Sequence, residues 1–300
     1  MPVSLKPGPY GGWTNCLFLS NGSLGLIITS DVGPRVISCR LNGEANLFKE
    51  YAEQLGQSGG SEWRIYGGHR LWHAPEIKPR TYSPDNKPVA YEWDGSTLTL
   101  IQDVEADTLI SKRLVIKMQP DSNEATIVHE LRNDGLWAIS TAPWCLTVLA
   151  AGGRAILPQE PFVPFPDALL PARPLVLWPY TNMHDPRFTF AGRYIELRQD
   201  DKSPDPQKIG LRNSQEWGLY ERNGTVFLKQ APLVKAAEYP DFGSNWELFT
   251  NHEMLELETL GPLTLLEPGA AVEHTEIWTI SKVSEGLGAY ELISALGLKH

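Results

Sequence analysis

The chain has 300 residues, a formal net charge of −10 at pH 7 and three cysteines. A chain of this length can bury a large core, and single all-β domains reach this size. The acidic balance excludes the broad basic surface by which proteins bind nucleic acids and anionic membranes, so we expect neither as a partner.

The cysteines and the first residues indicate the cellular compartment to expect. Cys16, Cys39 and Cys145 are widely spaced and match no zinc pattern, which predicts free thiols in a reducing compartment. The first residues lack the apolar core of a signal peptide, and no apolar run reaches the length of a membrane span. We therefore expect a cytoplasmic protein.

Short runs of β-branched and aromatic residues alternate with turns along the chain, which predicts an all-β fold. The dipeptides at 42–43, 94–95 and 223–224 are Asn-Gly or Asp-Gly, the strongest short hairpin signal. The predicted strands, in chain order, are 24–30, 36–41, 89–93, 97–102, 109–117, 126–131, 137–149, 188–197, 217–220, 225–230, 254–260 and 272–280.

Few segments predict a structure other than a strand. Residues 48–57 predict one short helical turn, and 288–298 predict a helix near the C-terminus. Residues 157–177 are rich in proline and apolar residues, which predicts a long ordered loop that crosses one face. Glycine and proline are spread evenly rather than pooled in a linker, so we expect one domain over residues 1–300.

Four segments carry a family likeness: GPRVISCRL at 33–41, YGGHRLWHAPE at 66–76, LRN at 131–133 with APW at 142–144, and LELET at 255–259 followed by PG at 268–269. Together they resemble the galactose-mutarotase-like superfamily, the aldose 1-epimerases and their relatives. The resemblance covers about residues 24–280. It implies a large antiparallel β-supersandwich with few short helices, whose concave face holds a sugar.

The resemblance places the family's catalytic base at Glu258. Residues two apart in a strand share a face, so Glu256 and Glu258 would point one way and Leu255 and Leu257 into the core. Two carboxylates this close should raise the pKa of one of them, which suits acid–base work. The alternative is a pair of solvated glutamates on an exposed strand face.

The residue that acts as the acid has no direct counterpart in this chain. In relatives with epimerase activity a histidine lies near the position of Trp144, where this chain has none. His69 is the replacement we consider for the acid at the ring oxygen, with His73 orienting a hydroxyl. They are four residues apart, so in a strand both fall on one face, with Arg70 and Trp72 on the other.

Each histidine could instead be a core residue satisfied by the backbone. A third reading lets His69 and His73 hold a divalent ion with Glu76, but the spacing matches no zinc pattern. The sequence also has no phosphate-binding glycine loop and no dinucleotide fingerprint. We therefore expect neither a metal nor another cofactor.

Further substrate-binding candidates surround these residues. Arg70 could hold a sugar hydroxyl or carboxylate through its planar fork, and Trp144, in the mid-chain segment that carries the resemblance, is a second candidate. A polar loop contains Asp241, Asn245 and Glu247, just before the Glu258 strand, and could line the pocket. The same loop could equally be a turn stabilised by its own Asp and Asn side chains.

Three functions remain open. The first is a sugar epimerase or mutarotase-like isomerase that acts on a small sugar at the anomeric centre. The second is a hydrolase or lyase on an oligosaccharide, because strand rise alone separates Glu256 and Glu258 by about 7 Å, near the spacing of an inverting carboxylate pair. The third is a non-catalytic carbohydrate-binding protein, which the missing family histidine favours.

Overall fold

The computed structural model describes residues 2–298 and is built almost entirely of strands, as the sequence predicts. No helix within that range is both long enough and apolar enough to cross a bilayer. The helical elements are a 3-10 turn at Arg80–Tyr82, α1 (Pro240–Gly243) and α2 (Ala289–Ala295). The strands are β1 (Ser4–Tyr10), β2 (Trp13–Ser20), β3 (Leu24–Thr29), β4 (Arg35–Leu41), β5 (Gly68–Ala74), β6 (Ala90–Trp93), β7 (Thr97–Ile101), β8 (Ile110–Met118), β9 (Glu124–Asn133), β10 (Ile139–Leu149), β11 (Arg154–Pro158), β12 (Leu175–Leu177), β13 (Phe188–Phe190), β14 (Tyr194–Arg198), β15 (Gln207–Leu211), β16 (Trp217–Arg222), β17 (Thr225–Gln230), β18 (Trp246–Thr250), β19 (Leu255–Leu260), β20 (Thr264–Leu266) and β21 (Ala271–Lys282).

These strands form two large sheets. The first has the order β1-β2-β3-β4-β5-β10-β19-β18-β15-β12, with β20 also paired to β10. The second has the order β13-β14-β11-β16-β17-β21-β9-β8-β7-β6. The pairs between named strands are antiparallel. The predicted all-β, antiparallel architecture with few short helices is confirmed.

The main core lies between the two sheets. In β8 and β9 every second residue is buried, which is the alternation expected when one face of a strand packs on the core. The rings of Phe48, Phe227 and Trp278 meet edge to face at its centre, with centroids 5.3 to 5.7 Å apart. Burying one large apolar side chain stabilises the fold by about 1.5–3 kcal/mol.

Several predicted elements differ in detail. The predicted strand at 188–197 is two strands, β13 and β14, that pair with each other across a short turn. The predicted helix at 288–298 is present as α2, one turn shorter. The loop that follows β11 does not pack on a face: every residue from 161 to 174 is exposed.

Five neighbouring strands of the first sheet, β5, β10, β19, β18 and β15, position the candidate site. Their register aligns Arg70, Leu146, Glu258 and Glu247 in one row across four strands. Directly paired residues project from the same side of a sheet, so this row lies on one face. The opposite face packs against the second sheet, as the burial of Leu257 in the main core shows.

Candidate functional site

A pocket of about 320 Å³ opens on the face of the first sheet that points away from the second sheet. This volume lies at the lower end of the range for small-molecule sites. Apolar and aromatic side chains form most of its wall, and charged side chains form its floor. The lining residues are Tyr51, Trp63, Ile65, Arg70, Trp72, Glu76, Tyr82, Trp144, Leu146, Tyr180, Lys208, Phe249, Asn251, Met254 and Glu256.

The aromatic wall is one packed group. The Trp72 ring lies 5.4 Å from Trp144, 5.1 Å from Trp63 and 5.0 Å from Tyr82, between centroids. Such contacts fix the rings in place and leave their remaining faces for a ligand. An indole face of this kind suits the apolar C–H face of a pyranose ring.

Glu258 is fully buried and is not itself one of the lining residues. The Trp144 Nε1–H donates to its Oε2 at 2.8 Å. The Lys208 ammonium donates to the same carboxylate, 3.0 Å from Oε2 and 3.3 Å from Oε1. Both partners line the pocket, so two pocket residues hold the orientation of the Glu258 carboxylate.

Lys208 also forms an ion pair with a second carboxylate. Its Nζ lies 2.7 Å from Oε2 of Glu247, the residue opposite Glu258 on β18. Burial opposes the charge on Lys208, but the carboxylates of Glu247 and Glu258 outweigh it and raise the lysine pKa above its usual value. Burial raises the pKa of Glu247 well above its usual value; the Lys208 charge opposes this rise, and Glu258 and Asp241 add to it.

The second ion pair of the floor joins Arg70 and Glu256, whose nearest atoms are 3.2 Å apart. Burial raises the pKa of Glu256; the charge of Arg70 opposes the rise and that of Glu258 adds to it. The Arg70 guanidinium lies over Trp72, 4.5 Å from the ring centroid. Its Nε and Nη1 atoms are buried and have no hydrogen-bond partner among the described residues.

Asp241 and Asn245 differ in what surrounds their side chains. Burial raises the pKa of Asp241, with Glu258 adding to the rise, while a hydrogen bond with Glu247 and the charge of Lys208 lower it. Asp241 and Phe242 have φ values of 49° and 57°, the left-handed region that non-glycine residues rarely adopt. Asn245 is turned to the backbone of Asn213: it accepts from the amide at 2.7 Å and donates to the carbonyl at 3.1 Å. Asn245 therefore shapes a neighbouring turn and is not among the lining residues.

His69 and His73 lie on the opposite face of β5 from Arg70, so neither enters the pocket. The expected alternation along β5 is present, but the histidines take the side that faces the second sheet. His69 Nε2 lies 2.7 Å from Nε2 of His129, and His73 Nε2 lies 3.5 Å from Glu105. The pair also cannot share an ion with Glu76, because four residues of strand separate them by about 13 Å and Glu76 lines the pocket on the other side.

The interior histidines form a network with defined proton positions. His129 Nδ1 donates to the carbonyl of His274 at 2.9 Å, so its Nε2 must accept. His69 Nε2 therefore donates to it, and His69 Nδ1 accepts from the Thr147 hydroxyl at 2.8 Å. Burial lowers the pKa of both His69 and His129. Both rings are therefore neutral, and each of their four nitrogens has a hydrogen-bond partner.

Two groups in this interior have the donor atoms of a metal site: His69, His129 and Glu276, and Cys145, His274 and Glu276. Their donor atoms lie within 4.8 Å of one another. The Glu276 carboxylate is already neutralised by Lys229 at 2.9 Å, and it accepts from Trp278 Nε1 at 2.7 Å. These contacts satisfy the carboxylate without an ion, and the network is separate from the pocket.

Sequence reasoning missed Lys208, Trp63 and Tyr82, which line the pocket. Lys208 lies on β15, a strand of five residues that are buried on both faces, so it shows no alternation in the sequence. Trp63 lies in a loop before β5, and Tyr82 ends the 3-10 turn. The basic residue next to the short apolar run at 209–211 was the one available signal for Lys208.

The fold is shared with solved structures. The chain is similar to a galactose mutarotase-like protein from Lactobacillus casei, with a TM-score of 0.59 and 11% identity over 89% of this chain and 100% of that one. A galactose mutarotase related enzyme from Lactobacillus acidophilus matches with a TM-score of 0.56 and 9% identity over 91% and 99%. A TPR-domain containing protein from Parabacteroides distasonis matches with a TM-score of 0.60 and 14% identity over 96% of this chain, which spans 54% of that protein's length.

No protein-family model matches the chain, and no curated protein matches it significantly in sequence. Identities this low establish a common fold rather than a common activity. The chain therefore has the galactose-mutarotase-like fold, which is the fold that the resemblance implies.

Proposed function

We propose that the chain binds a small sugar in this pocket and interconverts its anomers, with Glu258 as the base. The observation that carries the proposal is the Glu258 carboxylate itself, which Trp144 and Lys208, two residues that line the pocket, hold in one orientation. Several solved structures of this fold are named for mutarotases, which supports the same chemistry.

Mutarotation needs a base at the anomeric hydroxyl and an acid at the ring oxygen. Glu258, ion-paired with Lys208, takes the proton of the anomeric hydroxyl as the C1–O5 bond breaks. Glu256 gives a proton to the leaving ring oxygen; it must bind that proton beforehand in place of its ion pair with Arg70, and burial, which raises its pKa, favours the protonated form. The open-chain aldehyde then rotates about its C1–C2 bond, and the reverse transfers close the ring with the opposite configuration and restore both carboxyl groups.

The spacing of the two carboxyl groups suits this assignment. Residues two apart in a strand are separated by about 7 Å. The hydroxyl and the ring oxygen are bonded to the same carbon, so two hydrogen bonds of about 2.8 Å on either side of them span a similar distance. Arg70 would bind a ring hydroxyl, and the half-buried Trp63 would pack on the C–H face, since both residues line the pocket.

The test is anomer exchange measured by saturation-transfer NMR on a panel of hexoses and pentoses. Glu258→Gln keeps the shape of the side chain and should slow exchange by about 10²–10⁴-fold, while calorimetry still detects the sugar. Glu273→Gln, an exposed change on β21, is the matched control. Full exchange activity in Glu258→Gln would remove this residue from the mechanism.

One observation favours a second function, a non-catalytic sugar-binding protein. Both oxygens of Glu258 lie within 3.3 Å of the Lys208 ammonium, so an ion pair inside the protein already occupies this carboxylate. Binding of a sugar without faster exchange in the wild type would favour this function. Release of reducing ends from an oligosaccharide panel would instead favour a hydrolase that uses Glu256 and Glu258.

A further inference from the structure

Residues 161–174, between β11 and β12, form a projecting segment that we call the apolar arm. Its sequence is PFVPFPDALLPARP, and every one of its residues is exposed. The arm carries five large apolar side chains that are 49% to 84% exposed: Phe162, Val163, Phe165, Leu169 and Leu170. A cluster of this kind on one short segment differs from the single exposed apolar residues that are normal on protein surfaces.

The composition of the arm argues for a protein partner. Disordered segments have low hydrophobicity and high net charge. The arm instead is rich in Phe and Leu, and Asp167 and Arg173 are its charged residues. Anionic lipid surfaces select basic residues near the apolar ones. With one arginine in the arm and a net charge of −10 on the chain, a lipid surface is a poor match.

The chain itself carries a matching apolar surface beside the arm. The arm leads directly into β12, which is the edge strand of the first sheet, and β13 is an edge strand of the second. Leu177, Met183 and Phe190, on or between these strands, are 38% to 49% exposed. An edge strand also leaves backbone N–H and C=O groups open for pairing with another chain.

The exposed apolar area of the arm and of the sheet edges is large enough for a specific interface. At roughly 150–200 Å² for a large side chain, the five apolar residues of one arm expose on the order of 600 Å². A stable interface buries about 800 Å² on each partner. Adding Leu177, Met183 and Phe190 to the arm brings each copy to that size.

We propose that the apolar arm docks on a second copy of this chain, in a two-fold dimer where each arm covers the β12–β13 edge of its partner. Because the arm and the edge belong to the same chain, a two-fold axis satisfies both at once and closes the assembly. The occupant of the surface is thus the same protein.

Light scattering coupled to size exclusion tests this on the full chain, whose mass is 33.4 kDa, over a range of micromolar concentrations. The wild type should show twice this mass. Phe165→Asp/Leu170→Asp should show the single-chain mass, with dimer affinity weakened at least about 100-fold. Phe190→Asp, on the receiving edge, should also weaken the dimer.

Leu136→Asp/Trp137→Asp is the matched control, because these residues are 80% and 81% exposed in the turn between β9 and β10. It should keep the dimer mass. The proposal is overturned by a single-chain mass for the wild type, by a dimer that survives the arm substitutions, by loss of the dimer in the control, or by an arm-dependent dimer that is indifferent to Phe190→Asp. Binding of a monomeric wild type to phosphatidylserine vesicles would assign the arm to a membrane instead.

Discussion

The Lys208 ammonium reaches across β18 to Glu258 on β19, and its Nζ lies 3.0 Å from the Glu258 Oε2 atom. On the way it passes Glu247, 2.7 Å from Oε2 of that residue. One buried cation therefore contacts two buried carboxyl groups and can balance the charge of only one. The arrangement is stable only if one of the two retains a proton more readily than usual, and the raised pKa of Glu247 matches this requirement.

Removal of Lys208 should leave the carboxyl groups of Glu247 and Glu258 without a compensating charge. In Lys208→Met the two carboxyl groups lose their cation while both stay buried, so the free energy of unfolding at neutral pH should fall by about 3–5 kcal/mol. Urea denaturation measures it. Lys208→Met/Glu247→Gln, which leaves one carboxylate, should lose less than the single variant. Equal losses would show that Glu247 takes up a proton in Lys208→Met, so that its charge adds nothing to the loss.

Glu247 should impose a pH dependence on stability. Its pKa in the folded state lies above the ordinary value of 4.5, so above pH 4.5 the unfolded chain gives up a proton that the folded chain keeps. Stability contributed by this group is present below pH 4.5 and is lost as pH rises toward the folded pKa, by about 1.4 kcal/mol per pH unit.

Glu247→Gln resembles the protonated form and should remove this decline. Urea unfolding at a series of pH values from 4.5 to neutrality compares it with the wild type, and Glu273→Gln is the exposed control. A constant difference between Glu247→Gln and the wild type across the series would contradict the raised pKa.

The sequence predicts local alternation well and distant neighbours poorly. Leu257 lies in the main core and Glu256 lines the pocket, as strand periodicity requires. The same rule puts His69 and His73 on one face, but all seven residues of β5 are buried, so hydropathy cannot say which face meets the second sheet. Lys208 meets Glu258 only because β15, β18 and β19 are neighbours, and sheet order is not encoded in any one segment.

The aromatic wall should report sugar binding. Trp63, Trp72 and Trp144 line the pocket, so a bound sugar should change the tryptophan fluorescence. Trp63→Ala removes one stacking surface and should raise the Kd of the sugar by about tenfold. Trp137→Ala, on an exposed turn, is the matched control. Unchanged affinity in Trp63→Ala would place the sugar away from this wall.

The interior histidine network should make the protein sensitive to acid. Burial lowers the pKa of His274 from 6.5 to about 3; the Glu276 charge opposes the fall, and the nearby His129 and Lys229 add to it. Between these values the unfolded chain binds a proton that the folded chain excludes, so stability is complete above pH 6.5 and falls as the pH decreases. The expected slope for one histidine is about 1.4 kcal/mol per pH unit.

His274→Gln should therefore reduce the slope of unfolding free energy against pH by about this amount, measured by urea denaturation between pH 4.5 and 6.5, above the ordinary range of the carboxyl groups. Glutamine can still donate to Thr259, which now accepts from His274 Nε2 at 2.8 Å. His184→Gln, on an exposed loop, is the control. If His274→Gln loses stability by the same amount at every pH, the histidine is charged in the fold and the neutral network is wrong.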